Sequence, residues 1–451
     1  MKISASSLLA PLTAIYLITS IHAVDEIPVI IPFMRVFRLA IIPFLLFVAV
    51  TLLPQQSKSK IRHFIGLSFP IIIILVVNVL QLVALPRNIA VTHASISVRF
   101  TAVFLLYLCV LLSINTLSVK RISSILLIIM PIIFLVGIIQ YPNIIAHAGG
   151  SLGAALSSYG QLESRSHLSG IFGSANEDAN GFITLFPLAL LWVEKTQGLK
   201  KVILRFAIFA AFSLALLFNG TRTALIVSLP LITFLFYSNM SIKKIIYSFL
   251  PLLSIGSFAL LFSGSIFGKI FGQEADGEGT LDWRVEHVWS PVIKYTIENS
   301  PVFGFGSRGW EYICIKLDII SIVTGVPNPS HSGYVWVFAS WGVLGLIAYV
   351  SFLLILLLEA FKLSQSVDVD VACHGKTLFC SVTGYCIWAF ISNVMFSQGW
   401  IILMSLGILI AAFKFIELSN ASDDTSLQNR VQIGYVRPQN QFNIARVDSD
   451  S

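Results

Sequence analysis

Apolar runs of about 20 residues recur along most of this chain, and that recurrence restricts its fold more than any other feature. Candidate spans lie at 5–23, 36–53, 64–85, 98–115, 122–140, 179–194, 202–218, 222–237, 245–263, 333–358, 377–396 and 399–417, twelve in all. Only 11% of the residues are charged, 56% are hydrophobic, and mean hydropathy is +0.86. A soluble domain carries roughly 25% charged residues, so that class is excluded. The expectation is an all-α polytopic membrane protein with residues 1–417 in the bilayer-spanning unit. The net charge of +7 needs no nucleic-acid partner, because Lys and Arg in such a chain report orientation.

Short loops give that orientation. Segments 54–63, 116–121, 195–201 and 238–244 hold ten Lys or Arg and no Asp or Glu. Segments 24–35, 86–97 and 141–177 hold three basic residues against four acidic ones. The first set is expected in the cytoplasm. Parity then puts both termini inside and the long loop 264–332, between spans nine and ten, outside. The first run, after Met1-Lys2, has the length of a signal peptide but no strong cleavage motif, so a retained span is preferred.

Two outer segments exceed the length of plain connections. In 141–177, Gly149-Gly150 and scattered Ile144, Leu152, Leu156 and Leu162 suggest a piece packed back on the membrane surface. Within 264–332, the interval 281–298 predicts a helix with Leu281, Val285, Val288 and Val292 on one face. Thr280 is a candidate cap, and Pro291 a candidate kink. Gly304 and Gly306 allow a tight backbone approach to a neighbour. The polar segment 418–451 has too few apolar residues for a core and reads as a disordered cytoplasmic tail. Five cysteines offer no disulfide within the long loop, where Cys314 is alone.

Three side chains on the outer face stand out. Arg222, in Asn219-Gly220-Thr221-Arg222-Thr223, separates two apolar runs; taken alone it reads as an interfacial arginine. Arg284 follows Trp283 in a loop with eight acidic and five basic residues, where a surface ion pair worth about 0–1 kcal/mol is the plain alternative. His331 precedes the tenth span in Pro329-Ser330-His331-Ser332, as an interfacial or capping histidine or as a proton acceptor. Together, two guanidiniums and an imidazole suit recognition of a diphosphate plus base chemistry, since arginine makes a planar fork to phosphate oxygens.

The order of these motifs resembles the O-antigen ligase and polymerase superfamily. The resemblance rests on Ser169-Gly170-Ile171-Phe172-Gly173-Ser174-Ala175-Asn176, Gly220-Thr221-Arg222-Thr223-Ala224, Trp283-Arg284, Pro301-Val302-Phe303-Gly304-Phe305-Gly306, His331-Ser332-Gly333-Tyr334 and Gly342-Val343-Leu344-Gly345-Leu346. It implies a metal-independent, GT-C-type glycosyltransferase of the bacterial inner membrane, without a cofactor. Such an enzyme moves a glycan from undecaprenyl diphosphate to a hydroxyl of lipid A-core or another acceptor. Arg222 and Arg284 would hold the diphosphate, and His331 would serve as base or orient the acceptor. Ser332 departs from the pattern, since many relatives carry Asn after the His. No Asp-x-Asp motif occurs in the outer loops.

Two other classes compete. A twelve-span secondary transporter of the major facilitator type would carry Gly and Asp in the loop after its second span; Pro54–His63 has neither. Acidic residues for proton coupling are scarce in the spans. A non-catalytic scaffold would leave Arg222, Arg284 and His331 replaceable. Ligase and polymerase differ only in acceptor, and the residues do not separate them.

Overall fold

The computed structural model describes residues 43–47, 50, 58–84, 87–113, 181, 183, 184, 187, 198–219, 281–320, 327–328, 330–391, 400 and 402–418. Helices dominate them: α1 (Lys58–Ala84), α2 (Arg87–Ser113), α3 (Gly198–Asn219), α4 (Leu281–Arg284), α5 (Ser290–Asn299), α6 (Gly309–Lys316), α7 (Gly333–Ser364) and α8 (Val369–Ile391). Residues 402–418 are helical as well. Among the described residues the one β contact is an isolated bridge between Ile320 and Pro327. The expected spans 5–23, 122–140, 222–237 and 245–263, the outer segment 141–177, Thr280 and the tail 418–451 lie outside the described residues, Leu418 excepted.

Where the structure describes them, the helices cover the apolar runs but α1 and α8 begin earlier, at Lys58 and Val369, and α2 departs most. Residues 86–97 were expected to be an outer loop, yet α2 starts at Arg87, leaving only residues 85 and 86 between α1 and α2. No Gly or Pro follows Pro86 in that stretch. A proline is tolerated just before the start of a helix, so α2 can begin at the next residue.

α1 divides cleanly into two faces. Leu67, Ile71, Ile74, Asn78 and Gln81 are buried, while Ile65, Phe69, Ile72, Val76, Val79 and Val83 are exposed. The exposed stripe is wholly apolar, whereas a helix in water turns polar side chains outward. Lipid is the solvent that suits such a stripe. α7, in turn, is the one described helix long and apolar enough to cross a bilayer.

α7 packs against α1 and α8 and forms the centre of the described structure. An aromatic knot holds it to α2 and Trp400. Phe100, Phe104, Trp336, Trp341, Tyr349 and Trp400 meet at centroid separations of 5.2 to 6.3 Å, mostly edge to face. That is the geometry ring quadrupoles favour. Asp368 starts α8 by accepting the Asp370 N–H at 2.9 Å, and Gly375 lets α8 cross against the backbone of Leu363 and Ser364.

Candidate active site

The segment that carries Arg284 is a helix with a widened turn. α4 ends at Arg284, residues Val285–Trp289 form a π-helical turn, and α5 continues to Asn299. Pro291 causes the irregularity, though not as the expected kink. Proline has no N–H to give the preceding turn and its ring crowds the carbonyl four residues back. The backbone answers by widening the turn before it, where the Ser290 N–H reaches Val285 O. One extra residue per turn also shifts the buried face. Val288, Trp289, Val292 and Thr296 are buried, and Val285, expected among them, is 38% exposed. Nothing is described of the side chain of Leu281.

After α5 the chain enters the tight approach anticipated for Gly304 and Gly306, and its partner is a break in α7. Gly342 has φ 64° and ψ −162°, which no helix accommodates. The break removes the bonds that Val343 and Leu344 would donate to Ala339 and Ser340. All four groups are re-satisfied by residues 301–306. Val343 N donates to Pro301 O at 2.8 Å, and Leu344 N to Val302 O at 3.3 Å. Phe305 N donates to Ala339 O at 3.0 Å, and Gly306 N to Ser340 O at 2.8 Å. Broken helices survive at membrane depth only where protein supplies such partners, because an unsatisfied buried group costs about 1–3 kcal/mol.

The same unit is tied back to α5 and α6. Ser300 donates its hydroxyl to Gly304 O at 2.8 Å, and Gly304 N donates to Ser300 O at 3.0 Å. Phe305 lies between Tyr295 of α5 and Tyr312 of α6, with centroids 5.5 and 5.6 Å away. Arg284 therefore belongs to one packed body that is bonded into α7.

His331 sits just before the start of α7, in a segment suspended from two indoles. Trp289 of the π turn donates its Nε1–H to Ser330 O at 2.5 Å. Trp310 of α6 donates to Asn328 O at 2.7 Å. His331 itself takes the left-handed conformation, φ 47°, unusual for a residue with a Cβ. Ser332 is the helix cap: it is extended, buried, and its hydroxyl accepts the Val335 N–H at 3.5 Å. Serine and asparagine rank together as caps, which accounts for the departure noted at this position.

The Arg284 helix and the His331 segment are joined through Trp289, five residues after Arg284, which donates to the carbonyl of Ser330, the residue before His331. Burial, with the Arg284 charge second, pushes the His331 pKa down to about 4, so the ring is neutral at ordinary pH. Nearby, burial raises the Glu311 carboxyl above its ordinary value, against the opposing effects of its own backbone and Arg308. Burial also pushes the Cys314 thiol up to about 12. His287 is exposed and stacks on Trp283 at 5.6 Å.

Arg222 lies outside the described residues. Sequence reasoning missed Trp289 and Trp310 as holders of the histidine segment, and missed Gln81 and Asn78 of α1. The aromatic spacing carried no signal for the first pair. A Gln and an Asn three apart in an apolar run were visible for the second.

Residues 207–350 match the family model described as O-antigen ligase, 144 of the chain's 451 residues. That stretch of the chain is similar to the O-antigen ligase family. The matched region contains Arg222, Arg284, the 301–306 clamp, His331 and the break in α7. No curated protein matches the chain.

Proposed function

We propose that this chain is a member of the O-antigen ligase superfamily and a glycosyltransferase of the ligase type. It transfers a glycan from undecaprenyl diphosphate to a hydroxyl of lipid A-core or another acceptor, at the outer face of the inner membrane. The observation that supports this reading best is the Trp289–Ser330 bond of 2.5 Å, which ties the helix of Arg284 to the segment of His331. The acceptor hydroxyl gives its proton to the imidazole as its oxygen bonds to the anomeric carbon. The bond from that carbon to the diphosphate breaks, and undecaprenyl diphosphate leaves with the electron pair. Arg284, with Arg222 as the second guanidinium, stabilises the charge on the leaving group. The low pKa of the imidazole fits this order of events. A bound diphosphate adds negative charge opposite Arg284, which raises the pKa of the ring and makes it a better base once donor is present.

The test pairs cells with purified protein. A deletion strain should lose glycan from lipid A-core while keeping free polymer. Single-repeat products would instead indicate a polymerase, and unchanged glycan with lost solute uptake a transporter. Arg222→Ala, Arg284→Ala and His331→Ala should each abolish transfer with membrane insertion intact. Arg284→Lys should restore little, because an ammonium cannot form the bidentate fork.

A further inference from the structure

Gln81 belongs to α1, far outside the family-matched residues 207–350, yet it is bonded to both halves of the joint described above. Its side chain is 1% exposed. The Nε2 amide donates one N–H to Ser340 O at 2.7 Å, on the α7 side of the joint, and the other to Phe303 O, on the loop side. Both hydrogens of the amide are thereby used, one on each segment. Asn78, one turn earlier on α1, repeats the arrangement with the opposite polarity. Its Oδ1 accepts from Ser307 at 3.2 Å and from the Trp341 indole at 3.1 Å, again one partner from each segment. Ser97 of α2 adds a third donor at 3.4 Å.

A polar pair that merely satisfied itself inside the bundle would need one partner each. Two amides that each bridge the same two segments fix those segments against one another. What lies on the two segments is the site. Arg284 is rigid with residues 301–306 through α5, and His331 is two residues ahead of α7. We propose that Gln81 is a positioning residue for transfer, setting the register between the Arg284 body and the His331 helix without touching either substrate. The role in transfer rests on the glycosyltransferase reading; the bridging itself does not.

The experiment uses full-length protein in lipid nanodiscs, with Gln81→Met, which keeps the volume and removes both donors. Gln81→Leu serves where the first variant does not accumulate, since it has a similar volume and also lacks both donors. Hydrogen–deuterium exchange of peptides covering 301–306 and 339–346 should rise about tenfold or more, the size expected from two lost hydrogen bonds. With a lipid-linked glycan donor, kcat should fall about tenfold to a hundredfold while the donor KM stays within about threefold, as for a displacement of the reacting groups by about 1 Å. Unchanged exchange overturns the bridge. Raised exchange with unchanged kcat, or a loss confined to KM, overturns the positioning role. Wild-type protein inert on the donor overturns the transferase reading, and the exchange result still decides the bridge.

Discussion

Gly304 and Gly342 are pressed together backbone to backbone. A Cβ on Gly304 would stand 2.6 Å from the Gly342 nitrogen, and one on Gly342 would stand 2.3 Å from the Val302 carbonyl oxygen. Both residues also have positive φ, 69° and 64°. This contact is where the segment after α5 meets the broken helix, so the four backbone bonds of the joint depend on two residues without a Cβ.

Alanine at either glycine should be severely destabilising. Overpacking costs about 1–3 kcal/mol, and a left-handed alanine adds about 1–2 kcal/mol. Gly66→Ala is the control: it is in α1 with nothing within 4 Å, and alanine in a helix gains roughly 0.5–1 kcal/mol. Thermal unfolding of the three variants in nanodiscs checks this. A Gly342→Ala protein as stable as Gly66→Ala would rule out the clamp.

The depressed pKa of His331 makes a pH prediction with a definite sign. Between pH 6.5 and about 4 the unfolded chain takes up a proton at this residue that the folded site refuses. Folded stability contributed by His331 is therefore fully present above 6.5, declines as pH falls through this window, and is gone below about 4. His331→Asn removes the titration and suits the left-handed backbone, which asparagine tolerates. The gap in unfolding midpoint between wild type and His331→Asn should shift against wild type on acidification from pH 6.5. Parallel curves for the two proteins would refute it. The same variant should lose transfer at neutral pH while remaining folded.

The two indoles should not be equivalent in function. Trp289→Phe and Trp310→Phe each remove one donor to the histidine segment, leaving a carbonyl short of its partner at a cost of about 1–3 kcal/mol. Trp289 holds Ser330, the neighbour of His331, whereas Trp310 holds Asn328, three residues away. Relative kcat in a reconstituted transfer assay should fall further for Trp289→Phe than for Trp310→Phe at similar thermal stability. Equal losses would mean that both act through stability alone.

Much of this protein is legible in one dimension because its solvent is. A bilayer demands long apolar helices, so the runs at 64–85, 202–218 and 333–358 reappear as α1, α3 and α7 with ends moved by a few residues. The same local logic marked Arg284 and His331 as polar groups on one side of the membrane. It failed where a local signal had two outcomes. Pro291 had to disturb its helix, but whether by a kink or by a wide turn was settled by packing of Val288, Trp289 and Val292.

Only the tertiary structure decided what the glycines approach and what the buried amides bridge. Gly304 announced a close contact but not with whom; Gly342, 38 positions later, gave no hint of being its partner. Gln81 lies 222 residues from Phe303 and 259 from Ser340. Hydropathy is a property of neighbours in the chain, so the sequence by itself determined the helices and their solvent. Hydrogen bonds between a broken helix and a returning loop join residues that are neighbours only in space, so the joint between residues 301–306 and α7 belongs to the fold.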